Sequence, residues 1–132
     1  MSIEDNKQLV VRYCARFGLS DVDGILEMMA DDATWRVVGK PHLYPGAGTK
    51  TKSEMEGVWR TMYASFSEPL SLHVLDMVAE GDRVAAECRC RAVLGDGKVY
   101  ENEYHFLFRV RDGRVAEVRE YTDLMHAQEV FG

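Results

Sequence analysis

The chain has 132 residues, 46% of them hydrophobic and 29% charged, with a formal net charge of −6. That length and apolar content suit one domain, residues 1–132, with its own core, and exclude a disordered chain. The negative balance argues against nucleic acid or an anionic membrane as partner, and no apolar run approaches a membrane span.

The N-terminus, MSIEDNKQ, is acidic and polar, unlike a secretory signal. The cysteines are Cys14, Cys88 and Cys90, an odd number that fits a reducing cytoplasm. Cys88 and Cys90 would share a strand face and read as small buried side chains. A zinc site wants more ligands at wider spacing, so no metal is expected.

Residues 2–18 read as a helix, with Ser2 and Asp5 suiting its start and Gly18 its stop. Leu9, Val10, Tyr13, Cys14 and Phe17 recur at helical spacing on one face. A second helix follows, capped by Ser20 or Asp21, with Val22, Ile25, Leu26 and Met29 inward. A short strand covers 34–38. KPHLYPGAGTK is then a glycine- and proline-rich loop, able to act as a lid. Thr51 and Glu54 form a capping box for a third helix, whose inner face carries Met55, Val58, Trp59, Met62 and Phe66.

From Ser71 the hydrophobic period changes to two, giving strands at about 71–79, 83–94, 98–110 and 114–123. The fold class is therefore α+β. Three N-terminal helices pack on one face of a strongly curved antiparallel sheet, forming a cone with an interior pocket.

Strand parity picks out the pocket face. A three-residue turn at RDG would pair Phe108 with Ala116, Phe106 with Val118 and Tyr104 with Glu120. Glu120 and Val118 then point in, while Glu117, Arg119 and Tyr121 point out. Asn102 and Thr122 fall near the pocket floor or rim. The preceding hairpin has two readings. In one, Cys88 and Cys90 face inward, and Arg89 and Arg91 pair outside with Glu103 and Glu101. In the other, Glu87 and Arg89 enter the pocket.

Two stretches resemble a known superfamily. VVRYCARFGLSDVDGILEMMADDATWRVVG resembles the N-terminal half of ketosteroid isomerases. EYHFLFRVRDGRVAEVREYTDL is similar to the closing hairpin of SnoaL-like polyketide cyclases and limonene epoxide hydrolases. The chain is thereby identified as a SnoaL-like, ketosteroid-isomerase-like member of the nuclear-transport-factor-like superfamily. The resemblance implies a cystatin-like cone with a deep pocket, and a homodimer, here through the outer sheet face bearing Leu107 and Tyr121.

Carried over by position, the isomerase pattern places its oxyanion-donating tyrosine on Tyr13. Its general base falls on Val37, which carries no proton, and its protonated aspartate falls on Tyr104. The epoxide-hydrolase pattern places its last-strand aspartate on Glu120. The arginine and aspartate beside it fall on Glu87 and Arg89, with charges exchanged, which favours the reading that puts both inside. Its water-holding tyrosine and asparagine fall on Trp35 and Val37.

Glu120 is thus the expected proton-transfer residue, with Tyr104 and Tyr13 polarising a ligand oxygen. Trp35, Val37, Trp59 and Phe106 would wall the pocket, with Val118, Asn102 and Thr122 completing it. The expected activity is cofactor-free acid/base chemistry of isomerase, cyclase or epoxide-hydrolase type. Its substrate would be a small apolar or amphipathic oxygen-bearing molecule. The alternative is a non-catalytic ligand-binding protein of the same fold.

Overall fold

The computed structural model describes residues 2–132. Its first helix starts where the sequence places it. The Asp5 amide donates to Ser2 Oγ at 3.0 Å and the Ser2 amide donates to the Asp5 carboxylate at 3.1 Å. This capping box opens α1, Ile3–Gly18, whose buried stripe of Leu9, Val10, Tyr13, Cys14 and Phe17 is the predicted one. Asp21 caps α2, Val22–Glu27, by accepting from the Gly24 amide at 3.0 Å. Thr51 and Glu54 form a second capping box and open α3, Lys52–Ala64.

Six strands form one curved, unclosed sheet: β1 Met29–Val37, β2 Gly48–Thr51, β3 Ser71–Glu80, β4 Arg83–Val93, β5 Val99–Arg111 and β6 Arg114–Thr122. Their spatial order is β2-β1-β6-β5-β4-β3. Every neighbouring pair is antiparallel except β1–β6, which runs parallel and joins the two ends of the chain. Helices cover one face, α1 against β3 and β4, α3 against β1 and β2. A further helix, α4, Leu124–Phe131, lies on β5 and was not anticipated. Asp123 caps it, accepting from the Met125 and His126 amides at 3.0 and 3.3 Å. Among the described residues no helix is long and apolar enough to cross a membrane.

Three local expectations change. Met29 is fully buried, but in the first residue of β1 and not on a helix. Strand β2 occupies the end of what reads as loop. The β5–β6 hairpin turns on two residues, not three. Asp112 and Gly113 both have positive φ, 52° and 72°, a geometry in which the flanking strands keep their twist. Val110 then pairs with Val115 and Arg109 with Glu117, leaving Ala116 as a bulge. Turn and bulge each shift the count by one, so Phe108 meets Val118, Phe106 meets Glu120 and Tyr104 meets Thr122. The pairing differs by two residues from the expected one, and parity survives. Glu120 points to the helix-covered face.

The β4–β5 hairpin takes the first of its two readings. Cys88 pairs with Tyr104 and Cys90 with Asn102, and both cysteines are buried. Outside, Arg89 lies 3.6 Å from Glu103 and Arg91 lies 3.1 Å from Glu101. Glu87 and Arg89 therefore do not enter the interior. They line a surface groove on the opposite sheet face, where water bears the cost of their charge.

Candidate functional site

A cavity of about 720 Å³ lies between the sheet, α3 and α4. Strands β1 and β6 set its polar centre. Trp35 pairs with Val118 and Val37 with Glu120, so the indole and the carboxylate stand on one face, one step apart. Trp35 Nε1 donates to Glu120 Oε1 at 3.0 Å. The other oxygen, Oε2, has no protein partner among the described residues. Glu120 also borders a smaller inner space of about 80 Å³, shared with Phe106, Cys90 and Tyr104.

Burial pushes the Glu120 carboxyl up to about 7, against the Trp35 hydrogen bond and the nearby Lys50 charge, which both pull it down. What surface the side chain keeps opens on the cavity, so withdrawal from bulk water remains the dominant effect. Such a carboxyl exchanges protons near neutrality.

Three phenols surround this acid. Tyr104 stacks on Phe106 with ring centroids 5.0 Å apart and shares a hydrogen bond with the Tyr100 hydroxyl. Asn102 Nδ2 donates to Tyr100 Oη at 2.9 Å and to the Asp123 carbonyl at 3.0 Å, which fixes the pair from below. Burial, with the Glu120 charge second, pushes the Tyr104 hydroxyl well above its usual value. Burial likewise pushes Tyr100 up to about 12. Tyr44, from the loop before β2, is raised by burial and then by Glu120. All three stay protonated near neutral pH and can donate.

The remaining wall is apolar. Trp35 and Trp59 meet edge to face at 5.3 Å, and Val37, Met55 and Val58 continue the surface. From α4, Leu124, Ala127, Val130 and Phe131 close the other side. His126 holds that helix in place. Its ring stacks on Tyr100 at 5.3 Å, and its Nε2 accepts the Glu101 amide at 3.2 Å.

The family model for the SnoaL-like domain matches residues 10–118. The chain belongs to the SnoaL-like family. Sequence comparison with curated proteins finds no significant match. Solved structures share the SnoaL-like fold at low identity. An NTF2-like protein of unknown function from Burkholderia pseudomallei is 21% identical over 98% of both chains, with a TM-score of 0.82. PrhC from Penicillium brasilianum is 17% identical over 97% of this chain and 86% of its own, with a TM-score of 0.86. TerC, co-crystallised with polyporic acid, is 20% identical over 96% and 97%, with a TM-score of 0.81.

The SnoaL-like cavity collects some of the expected residues and not others. Glu120, Tyr104, Trp35, Val37, Trp59 and Thr122 line it, and Phe106 lines its inner extension. The Thr122 hydroxyl is already committed to the Glu103 carbonyl at 2.7 Å. Asn102 and Val118 are buried behind the wall. Tyr13 does not reach the cavity. Its ring is fully buried against Phe17 and Phe108, and its hydroxyl has no partner among the described residues. Glu87 and Arg89 stand on the other face of the sheet. Lys50, Tyr100 and all of α4 lie outside the expected set, and Tyr44, expected only as part of the lid loop, lines the wall. For Tyr100 the signal was present, since it shares alternation with Asn102 and Tyr104.

Proposed function

We propose that this SnoaL-like protein is a cofactor-independent general acid/base catalyst acting on a small, largely apolar molecule that bears oxygen. One observation carries the proposal: an acid in a largely apolar cavity, poised near neutrality, anchored through one oxygen and open to the cavity through the other. In this reading Glu120 takes or returns the proton. The Tyr104–Tyr100 pair and Tyr44 are donors for a carbonyl or ether oxygen. TerC, a structural neighbour co-crystallised with polyporic acid, supports an organic ligand of moderate size. The isomerase base position carries Val37, so the base here is Glu120 from the opposite strand.

The test uses tetralone, a bicyclic ketone with acidic C–H bonds beside its carbonyl, in deuterated buffer near neutral pH. Wild type is expected to speed deuterium uptake over buffer by about 10²–10⁴-fold, the range of a positioned general base. Glu120→Gln is expected to bind tetralone with wild-type affinity, read by Trp35 and Trp59 fluorescence, and to exchange at the buffer rate. Binding without any accelerated exchange in wild type would leave a ligand carrier in place of an enzyme.

A further inference from the structure

Of the described residues that line the main cavity, Glu120 and Lys50 alone carry charge. Lys50 arrives there by strand parity. It pairs with Trp35, which pairs in turn with Val118, so the three stand in one row on the helix-covered face. The next row holds Gly48, Val37 and Glu120. The Lys50 ammonium has three donors and one protein acceptor among the described residues, the Gly46 carbonyl at 3.3 Å.

Glu120 spends one oxygen on Trp35 and forms no ion pair with Lys50, although the lysine charge acts on it. An acid and a cation thus face one sheltered space, each with unused bonding capacity. Both line the one cavity, where a ligand oxygen can reach either group. A ligand anion there would satisfy the ammonium, but only with a proton on Glu120. Otherwise two negative charges would share the site.

We propose that Lys50 and Glu120 form a subsite for an acidic oxygen of the ligand, an enol, a phenol or a carboxylic acid, with Lys50 holding the oxyanion and Glu120 holding the proton. This rests on the acid/base reading above and adds the chemical class of the ligand. The ligand O–H bond breaks, an O–H bond forms at Glu120, and no electrons change owner. A ligand arriving already ionised draws one proton from solvent onto Glu120. The other titratable groups facing Glu120 stay neutral near pH 7 and do not compete: Tyr44 from the loop, Cys90 from β4, Tyr100 and Tyr104 from β5. The lining residues of α3 and α4 carry no titratable group.

Naphthoate and its neutral amide, naphthamide, are probes of one shape and different charge, read by Trp35 and Trp59 fluorescence. Wild type is expected to bind naphthoate about tenfold more tightly near pH 6 than near pH 8, with naphthamide unchanged, because the anion needs a protonated Glu120. Calorimetry near pH 8 in two buffers should register uptake of about one proton per naphthoate.

Glu120→Gln is expected to abolish the pH dependence. Lys50→Met should weaken naphthoate at least about tenfold near pH 6 and leave naphthamide within about threefold, while Lys50→Arg restores the anion. Equal loss of both probes in Lys50→Met, or no preference for the anion in wild type, overturns the subsite. In that event tetralone exchange that still depends on Glu120 would keep the acid/base reading standing. If neither naphthalene probe binds wild type, the cavity reading falls with it.

Discussion

Position along a strand does not by itself decide what a side chain can do. Tyr13, fully buried, and Tyr104, half-buried, are phenols that the family resemblance assigns to the same oxyanion role. Tyr104 stands on β5 beside Glu120, within the cavity wall. Tyr13 projects from α1 into the core, its ring edge-on to Phe17 and Phe108 and its buried hydroxyl without a partner among the described residues. A buried hydroxyl without a partner costs about 1–3 kcal/mol relative to one that is bonded. Tyr13→Phe is therefore expected to raise stability by about 1 kcal/mol in denaturant unfolding, and to leave tetralone exchange at the wild-type rate. A large drop in exchange would return Tyr13 to the site.

The elements show where the sequence is legible and where it stops being so. Helices α1 and α3 announce themselves by two capping boxes and an apolar stripe, and β3 to β6 by period two. Parity along β6 was readable because only one face can bury Val118 and leave Arg119 outside. The pairing count was not, because the Asp112–Gly113 turn and the Ala116 bulge shift it in the same direction and leave no trace in polarity. Lys50 escaped for a related reason. Strand β2 reads GTKT, with no apolar residue to mark its inner face, and it gains its place only by pairing with β1. Helix α4 is too short to show more than about two turns of pattern.

The bulge offers a direct check on the hairpin. Deleting Ala116 removes the extra residue and sets Val115 and Glu117 next to each other opposite Val110 and Arg109, so beyond it every β6 side chain keeps its partner and its face. Val118 and Glu120 stay in, Glu117 and Arg119 stay out; in a bulge-free pairing the same deletion would turn all four over. That variant is expected to keep cooperative unfolding, and Ala116→Gly, which keeps the count, costs about 1 kcal/mol or less. A deletion variant that loses cooperative unfolding would contradict the register.

At the scale of the whole molecule, its carboxylates pull stability in opposite directions as pH changes. Asp5 and Glu54, the capping acids, are held below their usual values by the amides and hydroxyls of Ser2 and Thr51. Their contribution is present above the unfolded values of 3.8 and 4.5 and is lost as pH falls through the folded ones. Glu120 behaves in the opposite sense. Its folded value is raised from 4.5 to about 7, so the folded chain holds that proton more tightly than the unfolded chain does. Stability from this group is complete below 4.5 and is lost as pH rises through about 7. A shift of that size is worth on the order of 3 kcal/mol at alkaline pH.

Stability is therefore expected to peak on the acid side of neutrality, between the titration of the caps and that of Glu120. Thermal melts across pH should show a maximum at about pH 4.5–5, a decline up to about pH 7 and a level stretch beyond it. Glu120→Gln keeps an acceptor for Trp35 and carries no charge. It should melt higher than wild type near pH 8, match it near pH 4.5, and retain the acid limb set by Asp5 and Glu54. Parallel wild-type and Glu120→Gln profiles at every pH would mean that Glu120 is solvated in the folded protein. That result would remove the physical basis for its working near neutrality.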